Sequence, residues 1–135
     1  MIHSITYQGC KGRLIQVEGA KSPGFSGIHL IGNVSEVIKE GKERAKAAIN
    51  HLGISLPAQK IVISFSPADI PKCGSHLDLA VALELLRLSE PDSIKIQWEN
   101  MKPWLVVSEL NIRGEMTYTR TVSYTHLTLP TILLV

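Results

Sequence analysis

Apolar and polar residues alternate over residues 2–7 and again over residues 13–20, the period of two that a half-buried strand requires. Gly9-Cys10-Lys11-Gly12 separates the two runs, so they are expected to fold back on each other as a hairpin. Ser22-Pro23-Gly24 marks a second turn, and residues 28–31 form a short third strand closed by Gly32-Asn33. The period then changes. Val34, Val37, Ile38, Gly41, Ala45, Ala48, Ile49 and Leu52 share one helical stripe, with Lys39, Glu40, Lys42, Glu43 and Lys46 on the other side. Gly41 weakens that helix by about 1 kcal/mol relative to Ala and is expected to admit another backbone. Gly53 is placed to be its C′ cap.

Residues 60–66 contain Ile61-Val62-Ile63-Ser64-Phe65, a β-rich run expected in the interior of a sheet. A loop with two prolines follows, and then a helix over residues 77–88 that is apolar on nearly every side and so predicted to be buried. Pro91-Asp92-Ser93 ends that unit. Residues 104–107 read as a further strand and residues 111–114 as a turn. Strands, helix, strand, helix, strand in that order predict one α+β domain, with two main helices on a mixed sheet.

Composition narrows the class. The 135 residues are 44% hydrophobic and 19% charged, which fits a folded soluble domain. A net charge of +2 does not by itself call for nucleic acid or an anionic membrane. Two cysteines and no signal peptide predict a cytoplasmic protein. No apolar run approaches the roughly 20 residues of a membrane span, so no membrane partner is expected.

Four stretches carry a family resemblance: Ser22-Pro23-Gly24-Phe25 with Ile31-Gly32; residues 37–44, Val-Ile-Lys-Glu-Gly-Lys-Glu-Arg; residues 56–61, Leu-Pro-Ala-Gln-Lys-Ile; and Ser66-Pro67-Ala68-Asp69-Ile70-Pro71-Lys72 running into Asp78-Leu79-Ala80-Val81-Ala82-Leu83. In order and spacing they resemble the N-terminal domain of the magnesium-chelatase-like competence proteins, the YifB and ComM family. The last stretch, with Gly74 after Lys72, is the most specific. The resemblance implies a ribosomal-S5-domain-2-like fold shared with the Lon protease domain. It also implies a following AAA+ module that binds ATP and Mg, assembles as a hexamer and acts in DNA branch migration during natural transformation. Asn33 stands where the family usually has Leu-Pro, Gly41 where it has Ser, and Cys73 where an acidic residue is common.

Each candidate chemistry has a plainer alternative. Active Lon domains place a nucleophilic serine after Pro-Lys-Asp-Gly, activated by a desolvated lysine on a later element. Here the stretch is Pro71-Lys72-Cys73-Gly74-Ser75-His76, which aligns His76 with the nucleophile and leaves Ser75 one residue off. Ser75 with Asp78 is better read as a capping box. Cys73 and His76 are read as a half-buried structural pair rather than a thiolate pair. The cysteines and histidines show no paired metal-ligand spacing. No G-x-x-x-x-G-K-[ST] is present, so no cofactor is expected in this segment. Lys39, Lys42, Arg44 and Lys46 form a basic cluster that could touch DNA, although the interleaved glutamates favour a solvated helix face.

The end of the chain differs in kind. Residues 122–132, Val-Ser-Tyr-Thr-His-Leu-Thr-Leu-Pro-Thr-Ile, resemble a transposase mosaic-end sequencing adapter translated in one frame. Residues 1–121 are therefore expected to be a Lon-like domain incomplete at its C-terminal end, and 122–135 a non-native tail. The function expected is a non-catalytic assembly domain whose partners are its own AAA+ module and neighbouring subunits. The alternatives are a Lon-type serine peptidase using Ser75 and a stand-alone binding module.

Overall fold

The structure is a computed structural model and describes residues 2–89 and 104–117. The readings at Pro91-Asp92-Ser93 and at 122–135 lie outside the described residues. β1 (Ile2–Gln8) and β2 (Lys11–Ser22) form the expected antiparallel hairpin, in register from Ile2↔Val17 to Gln8↔Lys11. β2 also pairs antiparallel with β4 (Lys60–Ser66), from Gln16↔Ser66 to Ser22↔Lys60. β3 (Gly27–Ile31) lies parallel to β4, and α1 (Glu36–His51) makes the crossover that a parallel pair needs. β5 (Trp104–Leu105) adds in parallel to β1, giving a mixed sheet of order β3-β4-β2-β1-β5. A 3-10 turn (Ser75–Leu77) leads into α2 (Asp78–Ser89). β6 (Glu109–Leu110) and β7 (Met116–Thr117) make a separate two-stranded hairpin around the turn at 111–114.

One face of the sheet builds the core because its strands alternate in phase. Val17 stands opposite Phe65 and Gly19 opposite Ile63, so the buried residues of β2 and β4 share a side. Ile15, Val17, Ile61, Ile63 and Phe65 pack there with Ile38, Ala45 and Ile49 of α1 and Ala80, Val81, Leu85 and Leu88 of α2. Leu14 and Ile31, on the opposite phase, are 61% and 52% exposed. The α1 stripe is narrower than the sequence pattern: Val37 and Leu52 remain exposed, since they lie at its margins. Gly53 caps α1 as expected. At φ +78° it donates its N–H to Asn50 (3.0 Å), while the Ile54 N–H reaches Ile49 (3.3 Å), a complete Schellman motif. The helix over 77–88 is mostly buried as expected, but its first turn is 3-10 and α2 proper begins at Asp78.

Candidate functional site

The motif residues meet at the end of the sheet where β3 and β4 finish. Gly32 follows β3 with φ +113°, and a Cβ there would stand 2.2 Å from the Phe65 carbonyl oxygen, so only glycine fits. Beyond β4 the chain passes a cis Ser66-Pro67 bond into an exposed stretch of Pro67, Ala68 and Asp69, with Pro71 also exposed. Lys72 then ties this loop to the one after β3. Its N–H donates to the Asn33 carbonyl (3.0 Å), and its own carbonyl accepts from the Ser35 N–H (3.1 Å). Its side chain is 1% exposed, and Nζ donates to the carbonyls of Gly32 (2.5 Å) and Pro67. Two backbone oxygens thus replace the water an ammonium loses on burial. That burial pushes the Lys72 pKa down from the ordinary lysine value, against the opposing charge of Asp69. Pro23 and Gly24 lie elsewhere, in the β2–β3 loop, where Gly24 at φ +137° leaves room for the Lys60 stem.

Gly74, at φ +99°, opens the 3-10 turn directly over the His76 ring. His76 is buried, its Nε2 2.6 Å from the Ile5 carbonyl and its ring edge-on to Tyr7 at 5.7 Å between centroids. That contact places a proton on Nε2. Burial lowers the His76 pKa; the Ile5 carbonyl and Asp78 pull the other way. Cys73 is exposed and only its N–H is engaged, donating to Thr6 Oγ1 (3.2 Å). The half-buried Cys73–His76 pair is therefore corrected: the strand carbonyl, not the thiol, holds the histidine.

The capping box is corrected as well. The Ser75 hydroxyl donates to Glu109 Oε2 (2.5 Å), and no side chain caps the turn. Asp78, 1% exposed, faces Arg44 of α1 in a bidentate pair, Nε to Oδ2 at 2.8 Å and Nη2 to Oδ1 at 3.2 Å. The Leu110 N–H also donates to Oδ2 (3.3 Å), so one carboxylate joins α2, α1 and β6. Burial pushes the Asp78 carboxyl above its ordinary value, with Arg44 and Leu110 opposing. Hydrogen bonding to Asp78 raises the Arg44 pKa. A Cβ on Gly41 would stand 2.1 Å from Asp78 Oδ1. The close approach expected at Gly41 is real, but what comes close is a carboxylate rather than a backbone.

These contacts disperse the basic cluster. Arg44 turns inward to Asp78, Lys39 pairs with Glu36 (2.8 Å), and Lys42 sits 3.5 Å from both Glu43 and the Ile28 carbonyl. Lys46 is exposed beside β3. Arg44 is thus removed from any DNA stripe, because the buried acid of α2 outcompetes solvent for it.

A second buried charge was not anticipated from sequence. Glu84 of α2, 2% exposed, accepts the Gly19 N–H (2.9 Å) and pairs with Arg87 (2.7 Å), whose Nη2 donates to the Gly19 carbonyl (2.7 Å). Among the described residues the β1 ladder ends at Ile2↔Val17, and these two side chains take the backbone groups that Gly19 presents beyond it. A lone acid in an apolar helix with Arg three residues on was the available signal.

Chemically, a Ser-Lys dyad needs an amine at the serine oxygen. Ser75 has a carboxylate there, and the described residues on later elements, 104–117, include no lysine. Gly9-Cys10-Lys11-Gly12 joins two strands and offers no helix N-terminus to a phosphate. Among the described residues no group of three or more His, Cys, Asp or Glu is placed to hold a metal ion, and no helix is long and apolar enough to cross a membrane.

Similarity to known proteins agrees with the motif reading. The family model described as subunit ChlI of Mg-chelatase matches residues 17–130, a span that runs past Thr121. An uncharacterized protein of Mycobacterium tuberculosis is 30% identical over 119 residues, covering 88% of this chain and 23% of its own length. The uncharacterized protein YifB of Escherichia coli is 32% identical over 116 residues, 86% of this chain and 22% of that protein. The competence protein ComM of Haemophilus influenzae is 28% identical over the same shares. The chain therefore spans less than a quarter of the length of these relatives. It belongs to the magnesium-chelatase-like family described by subunit ChlI of Mg-chelatase.

Proposed function

We propose that this chain is a non-catalytic, Lon-like assembly domain of a longer cytoplasmic AAA+ ATPase that processes DNA. The observation that carries this reading is that two charged motif side chains, Lys72 and Asp78, are bonded inward. Lys72 holds two loops together, and Asp78 holds α2 to α1 and β6. Groups fixed in this way shape a rigid surface rather than move protons. ATP and Mg chemistry would lie in the part of the longer relatives that this chain does not span. DNA contact, if made by this domain, would fall to Lys39, Lys42 and Lys46 rather than Arg44.

The test uses the full-length protein with and without residues 1–121. Deletion is expected to lower the sedimentation coefficient of the ATP-bound assembly and to weaken DNA-stimulated ATP hydrolysis. Unchanged assembly, DNA binding and hydrolysis would contradict the proposal. The competing peptidase reading predicts that the full-length protein cleaves an unfolded substrate such as casein and that Ser75→Ala abolishes this. We expect no Ser75-dependent cleavage.

A further inference from the structure

The free edge of β3 runs directly into one of the loops that Lys72 ties, yet it is built differently. Among the described residues β3 ends the strand order, so one row of its backbone N–H and carbonyl groups faces away from β4. Over the start of β3 and β4 opens a groove of about 280 Å³ lined by Ile28, Lys46, Leu56, Pro57, Gln59 and Ile61. Ile28, Leu56, Pro57 and Ile61 make the lining partly apolar, and Lys46 adds a positive charge. Lys46 is exposed there, and Lys42 lies 3.5 Å from the Ile28 carbonyl, a long contact on the edge strand itself. Lys60 stands in register with Gly27 at the start of the same strand. Among the described residues, exposed Glu43 lies 3.5 Å from Lys42.

We propose that this edge receives an extended acidic peptide segment as an added strand. The backbone row would supply the main-chain hydrogen bonds, the groove would take an aliphatic side chain, and Lys42 and Lys46 would meet carboxylates. Charge selects this occupant over a second copy of the chain. A two-fold β3–β3 pairing would bring the lysines of each copy toward those of the other, and like charges in apposition oppose association. This use of Lys42 and Lys46 competes with the DNA contact considered for them above, and binding of duplex DNA at these lysines in place of the acidic peptide would overturn it; the assembly reading is tested separately, by deletion.

The experiment is fluorescence anisotropy of the 135-residue chain with a labelled peptide of alternating Glu and Val, and with a Lys and Val counterpart. Three results are expected. The Glu peptide binds and weakens with salt, while the Lys peptide does not bind. N-methylation of the amides on one edge of the Glu peptide abolishes binding. Lys46→Ala, an exposed change, and Lys42→Ala, a half-buried one, leave the circular dichroism spectrum unaltered and each weaken binding by about two- to fivefold. Equal binding of the two peptides, full binding of the N-methylated peptide, or no binding at millimolar concentration would overturn the proposal. So would sedimentation showing a dimer that the Glu peptide does not disperse.

Discussion

Two carboxylates of one helix, Asp78 and Glu84, are almost equally buried, yet they are held in different ways. Asp78 draws its arginine from another helix, 34 residues away, and adds an N–H from β6. Glu84 takes its arginine from the next turn of α2, and the pair together grips the N–H and carbonyl of a single β2 residue, Gly19. The first arrangement assembles elements that are distant in sequence. The second closes a strand end. A buried acid is therefore not in itself a sign of chemistry: what matters is which elements its partners come from.

The largest effect separating the two regions is expected from Arg44→Ala. It strands the Asp78 carboxylate without a counter-charge and should cost about 3–5 kcal/mol in urea unfolding. Glu84→Ala should cost less, about 1–3 kcal/mol, because it leaves one strand N–H unsatisfied while Arg87, 35% exposed, can turn to water. Equal losses would break the contrast.

Gly41→Ala sharpens it from the other side. Helix propensity alone favours Ala by about 1 kcal/mol. The Asp78 carboxylate stands in the way and is pinned by Arg44 and Leu110, so a net loss of about 1–3 kcal/mol is expected. A gain in stability would show that Asp78 is free to move.

The smallest effect concerns pH. The folded pKa of His76 is depressed, so its contribution to stability is fully present above the ordinary histidine value of 6.5 and is lost as pH falls through the folded value. His76→Gln should flatten the loss of stability seen on acidification below pH 6.5. An unchanged slope would mean that the acid sensitivity arises elsewhere.

How much of this was legible in sequence depends on how far apart the partners lie. The β1–β2 hairpin, the α1 stripe, the Gly53 cap and the interior strand Lys60–Ser66 were readable because each is set by neighbours a few residues away. Ser75 and Asp78 were misread as a capping box because their true partners, Glu109 and Arg44, are each 34 residues away. Arg44 was misplaced for the same reason, since nothing local distinguishes it from the lysines around it. The two sheet edges and the Gly19 clamp follow from strand order, which the pattern of periods does not encode.

The central claim is that the Asp78–Arg44 pair makes the motif architectural, and a double-mutant cycle tests it most directly. Equilibrium unfolding would be measured for the 135-residue chain, Arg44→Ala, Asp78→Ala and the double variant. A coupling energy of about 2 kcal/mol or more is predicted for residues sharing one buried pair. Additive losses, within about 0.5 kcal/mol, would contradict the account and reopen Asp78 as a group available for other work.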